Sequence, residues 1–160
     1  MKSLQNKLKS IPWLRILLLV LLVSGFSCSP VMGQSINWKT YAAGVREAKE
    51  TNKKIFLHFM TQWCGYCKRM NQITFKDDGV IEYLNQHFVS IKVDGDREKA
   101  LTGEYKVTGY PDNRFLEPDM EQAYRVPGFA DPMAFRFFME YVHTDSYKTM
   151  GPMEYYRSKQ

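Results

Sequence analysis

Cysteine is scarce in this chain. Its 160 residues hold three, Cys28, Cys64 and Cys67, too few for the disulfide-stapled scaffolds of small secreted domains. No second C-x-x-C accompanies Cys64 and Cys67, and His58, His87 and His143 are not spaced like zinc-finger ligands. A metal centre is therefore disfavoured and no cofactor is implied. Long apolar runs are missing as well. The most apolar stretch, 16–26, is interrupted by Ser24 and Gly25 and falls short of the ~20 residues that span a bilayer. There is no internal repeat and no low-complexity segment. The length suits one domain with its own core, and an apolar content of 44% with 24% charge argues against disorder.

What is present begins with an N-terminus unlike the rest. Lys2, Lys7, Lys9 and Arg15 precede the apolar stretch, and small residues, Pro30 and Gly33 follow it. That order is the signature of a secretory signal, so residues 1–33 are expected to be a signal peptide and Gln34 the mature N-terminus. Ser24-Gly25-Phe26-Ser27-Cys28 also resembles a bacterial lipobox, with Gly25 and Phe26 off the usual pattern. In that case the signal ends before Cys28, and lipidation of Cys28 tethers the domain to a membrane. An uncleaved anchor is the third alternative. The expected location is the periplasm or cell envelope. Residues 1–33 carry four basic groups and no acidic ones, so the formal +5 falls to about neutral for 34–160. Nucleic-acid binding thereby loses its main support.

Periodicity gives the elements. Tyr41 to Glu50 reads as a helix with Tyr41, Val45 and Ala48 on its buried face. The compact run Ile55 to Met60 reads as a central buried strand. Lys68 to Thr74 looks helical. Asp78-Gly79 is expected to break the chain before a helix over Val80 to His87. Phe88 to Val93 alternates as a strand, and Arg97 to Tyr105 suits a short helix. Arg114-Phe115-Leu116, a turn at Glu117-Pro118-Asp119-Met120 and Ala123 to Val126 make a hairpin. Asp131 caps a helix that has Pro132 at its first position and runs to about Val142. The domain is thus expected to fill 34–143, with 144–160 a helical extension. Phe129, Phe135, Phe137, Phe138 and Tyr141 are assigned to the core, with a partner-binding patch as the alternative. Helices flanking a mixed sheet make an α/β fold of three layers, α/β/α.

The chemistry concentrates in Trp63-Cys64-Gly65-Tyr66-Cys67-Lys68, where a buried strand gives way to a helix. A thiolate at a helix N-terminus faces unpaired N–H groups and the positive end of the helix dipole, both of which favour S⁻ over SH. The thiolate is the nucleophile of thiol-disulfide exchange. Cys67, one turn on, is placed to attack the resulting mixed disulfide. Gly65 permits close approach of a substrate, and Tyr66 is the adjustable position. A bare C-x-x-C could instead be a metal knuckle, but the strand, the Trp ahead and the helix behind favour redox work.

These features resemble the thioredoxin superfamily. The elements that match are Ile55 to Met60, Trp63 to Lys68, Val107-Thr108-Gly109-Tyr110-Pro111 and Phe115-Leu116-Glu117-Pro118-Asp119. The likeness covers roughly 38–142 and is strongest to exported bacterial thioredoxin-like proteins, including the C-terminal domain of the membrane thiol:disulfide interchange reductase. It implies the thioredoxin fold and a redox disulfide Cys64–Cys67, with Cys64 attacking and Cys67 resolving. It further implies that Pro111 is a cis-proline facing the disulfide and that the Tyr110 backbone pairs with a substrate strand. It also implies a monomer that exchanges protein disulfides and thiols, with a membrane electron-transfer partner, in cell redox homeostasis. The reductase direction is favoured.

Three departures qualify the likeness. His58 stands where the family carries a buried acid, and two readings stay open: a proton-transfer group for Cys67, acting near neutral pH, or a satisfied core histidine. Tyr66 replaces the usual Pro between the cysteines. Asp112-Asn113-Arg114 brings charge next to Pro111 and leaves the polarity of a substrate groove open. Trp63 is read as a lid beside the disulfide, with core packing the alternative. A redox-gated binding module with little turnover is the rival to an enzyme.

Overall fold

The computed structural model describes residues 35–160; the signal segment and Cys28 lie outside them. Helix α1 (Tyr41–Thr51) leads into strand β1 (Lys54–Met60). Helix α2 (Gly65–Gln72), a 3-10 turn (Thr74–Lys76) and helix α3 (Asp78–His87) follow, then strand β2 (Phe88–Asp94). After the short helix α4 (Lys99–Glu104) come β3 (Asp112–Leu116), β4 (Gln122–Pro127) and helix α5 (Pro132–His143). A 3-10 turn (Ser146–Lys148) and helix α6 (Pro152–Ser158) end the chain. Among the described residues no helix is long and apolar enough to cross a membrane.

The four strands lie in the order β2-β1-β3-β4, with β1 parallel to β2, antiparallel to β3, and β3 antiparallel to β4. Central β1 is buried on both faces, which is why it reads as a continuous apolar run. The period of two sorts its side chains. Ile55, Leu57 and Phe59 pack with Ala48, Val89, Ile91, Val93 and Leu116 against α1 and α4. Phe56 points the other way and packs with Met70, Leu84, Phe115, Phe135 and Met139 against α2, α3 and α5. This is the thioredoxin fold that the sequence implies, a mixed sheet between two helical layers.

Several boundaries differ from the periodicity reading. Asp78-Gly79 does not break the chain; both lie inside α3, because the Asp77 carboxylate accepts from the Val80 N–H at 2.9 Å and starts the helix there. The most buried positions of α1 are Gly44 and Ala48, with Tyr41 and Val45 only half-buried. A Cβ at Gly44 would run into the Ile91 side chain, so glycine lets α1 approach β2 closely. Helix α2 starts three residues earlier than Lys68 and ends at Gln72. The Asp131 cap matches the reading, its side chain accepting from the Ala134 N–H at 2.8 Å. In the tail the Gly151-Pro152 step separates the 3-10 turn from α6. Helix α6 docks through buried Tyr155 against Phe137 and Tyr141.

Candidate functional site

The C-terminal end of β1 delivers the chain into a tight turn, where the Cys64 N–H donates to the Thr61 carbonyl at 3.3 Å. Cys64 has extended backbone and is the N-cap of α2. Its Sγ accepts from the Cys67 N–H at 3.0 Å, so a sulfur takes the place that an oxygen holds in ordinary caps. Cys64 and Cys67 are joined by a disulfide with their Cα atoms 5.2 Å apart. Cys64 is 5% exposed and Cys67 fully buried, so Cys64 is the sulfur nearer to solvent. Met60 and Tyr110 pack against the pair.

Two aromatic walls flank the disulfide. Trp63 is 68% exposed and Tyr66 61%. Trp63 meets the Tyr110 ring edge-on at 5.9 Å and donates Nε1–H to Asp96 at 3.3 Å. It is a surface residue of the rim and takes no part in the core. The Tyr110 ring is accommodated by Gly95, where any Cβ would collide with it. On the other side Tyr66 lies 6.5 Å from Phe129, and the Arg69 guanidinium sits 4.6 Å over the Phe129 ring. Gly65 is exposed and has open space about its Cα. The Tyr110–Pro111 peptide bond is cis. The Pro111 carbonyl accepts from the Gly128 N–H at 2.8 Å, which ties this turn to the end of β4.

The charges after Pro111 do not enter this surface. Asp112 is fully buried and its carboxylate is gripped by Arg114 and Arg125, each at 2.9 Å. Arg114 also donates to the Tyr105 carbonyl at 2.7 Å. The charge beside the cis-proline, which left the polarity of the groove open, is therefore turned inward and paired.

His58 lies in the layer under α2. It is fully buried, 2.8 Å from Asn113 Oδ1 through Nδ1, and its Nε2 has no hydrogen-bond partner among the described residues. Burial pushes its pKa down to about 4, which outweighs the hydrogen bond to Asn113. The ring is thus uncharged at neutral pH, and it is not a fully satisfied core histidine either. Lys92 on β2 is the register partner of His58 in the β1–β2 ladder, with its Nζ over the Trp38 ring at 4.2 Å and donating to Asn71 Oδ1 at 3.3 Å. Burial lowers the Lys92 pKa. Sequence reasoning missed Asn113 and Lys92 as neighbours of His58, since only the strand registers reveal them. Among the described residues no three His, Cys, Asp or Glu side chains converge to hold a metal.

Comparison with known proteins agrees with this geometry. The profile of a family described as a thioredoxin-like domain matches residues 41–143. The disulfide bond reductase DsbH of Chlamydia pneumoniae is 24% identical over 61% of this chain. The chain spans less than two thirds of the curated relatives it matches, 66% of that reductase and 22% of a protein disulfide-isomerase of Neurospora crassa. Among solved structures, a thioredoxin of Thermus thermophilus is 26% identical with a TM-score of 0.63, covering 68% of this chain and 87% of its own. The oxidised C-terminal domain of Neisseria meningitidis DsbD is 26% identical with a TM-score of 0.52, covering 64% and 90%.

Proposed function

The chain belongs to the thioredoxin-like domain family, and from that membership we propose that it is an exported thiol-disulfide oxidoreductase that exchanges disulfides with proteins of the periplasm or cell envelope. One observation carries the reading: a C-x-x-C disulfide caps a helix, with the less buried sulfur on the cap and the other behind it. In the reduced enzyme the Cys64 thiolate, held by the start of α2, attacks a substrate disulfide. Cys67 resolves the mixed disulfide, and His58 handles its proton. The Tyr110–Pro111 turn aligns an extended substrate segment, and Trp63, Gly65 and Tyr66 border it. Residues 1–33 direct export, ending at Gly33 or before a lipidated Cys28, and 144–160 extend the domain. In an oxidising compartment the dithiol needs a source of electrons, so the reductase direction calls for a membrane electron-transfer partner. The domain acts as a monomer.

The test is insulin reduction by dithiothreitol followed by turbidity. The parent protein is expected to accelerate it and Cys64→Ser to abolish the acceleration; equal activity of the two sinks the reading. The wide exposure of Trp63 and Tyr66 favours one rival, a redox-gated binding module. Capture of the same partners by Cys67→Ser and by a Cys64→Ser/Cys67→Ser double variant would favour it. Covalent mixed disulfides on Cys67→Ser alone would favour the enzyme.

A further inference from the structure

Asn113 is the cross-strand partner of His58 in the β1–β3 ladder, and both side chains are fully buried. Its amide orientation is dictated by its surroundings. Nδ2 donates to the Val126 carbonyl at 3.0 Å and the Gly128 carbonyl at 3.1 Å. The opposite orientation would set an oxygen against two carbonyl oxygens. Oδ1 therefore faces His58 and can only accept. The ring nitrogen opposite it, Nδ1, must carry the proton, which leaves Nε2 with the lone pair. That lone pair is buried and has no partner among the described residues, a costly arrangement in an interior where polar atoms are normally satisfied.

The strand face that carries His58 gives the cost a use. His58 shares its face of β1 with Met60, two residues on, and Met60 packs with Cys64 and Cys67. Helix α2 covers this face with its two buried residues, Cys67 and Met70. The Met70 sulfur lies 3.8 Å from the same Asn113 amide. We propose that Asn113 is the positioning residue of the dithiol centre, fixing the proton of His58 on Nδ1 so that Nε2 stays bare as the base for the Cys67 thiol.

The assignment rests on the oxidoreductase reading above. In that reading Cys64 first attacks a protein disulfide and one substrate thiol leaves. The proton of the Cys67 thiol then passes to His58 Nε2. The Cys67 thiolate attacks the Cys64 sulfur, and the Cys64–Cys67 bond forms as the Cys64–substrate bond breaks. The departing thiolate takes up the proton. The dithiol is oxidised, the substrate disulfide is reduced, and an external dithiol such as dithiothreitol restores the starting state.

Two measurements on the whole folded protein test this. Long-range 1H–15N correlation at neutral pH should show His58 protonated at Nδ1 and bare at Nε2; the reverse pattern overturns the proposal. Rapid acid quench during insulin reduction reads the resolving step as accumulated mixed disulfide. Asn113→Leu should lose the fixed tautomer and slow resolution roughly ten- to a hundredfold, within the range of acid–base assistance. Asn113→Asp loses the same donors to the two carbonyls but keeps an acceptor for Nδ1–H. It should retain the Nδ1 proton and resolve with its pH profile moved to higher pH. If Asn113→Leu resolves as fast as the parent, or Asn113→Asp is as slow as Asn113→Leu at every pH, the positioning role is wrong. If neither variant folds, the tautomer of the parent protein decides. Failure of the parent to form any mixed disulfide on Cys64 would instead remove the oxidoreductase reading and leave the tautomer result standing.

Discussion

At the scale of single residues the centre is governed by what burial does to ionisable groups. His58 is the clearest case. Desolvation of its charged form lowers its pKa to about 4 from an ordinary 6.5. Between these values the unfolded chain binds a proton that the folded chain does not, so stability rises with pH through that window and is lost as pH falls from about 6.5 toward 4. The full loss is about 3 kcal/mol for one site. Urea unfolding of the parent and of His58→Gln at pH 7, 5.5 and 4 should show a steeper fall in the parent; parallel curves would contradict this. Asp112 shows the opposite solution, a buried carboxylate gripped by two arginines. Neither outcome was legible in the sequence. Asp112-Asn113-Arg114 reads only as charge next to Pro111 until the register of β3 sends Asp112 and Arg114 to one face and Asn113 to the other.

At the scale of elements, legibility followed how local the determining contact is. The Asp131-Pro132 start of α5 was plain because cap and first turn are adjacent in sequence. Gly79 alone reads as a breaker, but the Asp77 cap two residues before it places it inside α3. Gly44 gave no local signal at all, since its reason is Ile91 on another element. Gly44→Val should force α1 off β2 and cost about 1–3 kcal/mol, the usual penalty of overpacking, read as a lower urea midpoint with an unchanged slope. An undiminished midpoint would mean that the helix can shift freely. The aromatic walls were half legible. Trp63 and Tyr66 stood out beside the cysteines, whereas Phe129 joins them only because the end of β4 comes back past the disulfide.

At the scale of the whole molecule the three layers and the sequence of elements were legible from the periodic segments, and the likeness around Cys64 and Pro111 supplied the thioredoxin fold; the strand order β2-β1-β3-β4 comes from the structure. The tail, expected as a helical extension, packs as a 3-10 turn and a separate helix. Tyr155 holds it, against Phe137 and Tyr141, while the Tyr141 hydroxyl donates to the Met150 carbonyl at 2.6 Å. Tyr155→Ala should cost about 3–5 kcal/mol, as for other large buried aromatics, and lower the melting temperature of the entire domain. If instead only the last residues gain amide exchange while the melting temperature holds, the tail is a separate cooperative unit. The rims of the sheet have a consequence of their own. On the β2 side Lys39 N–H donates to the Ser90 carbonyl and the Lys39 carbonyl accepts from Lys92 N–H, so that rim is already occupied. On the other side β4 is short, its pairing slips between Phe115 and Leu116, and it ends at Pro127, which has no N–H to offer. An open strand edge is a template on which the sticky strands of other chains can add and an aggregate can grow, and this sheet offers almost none.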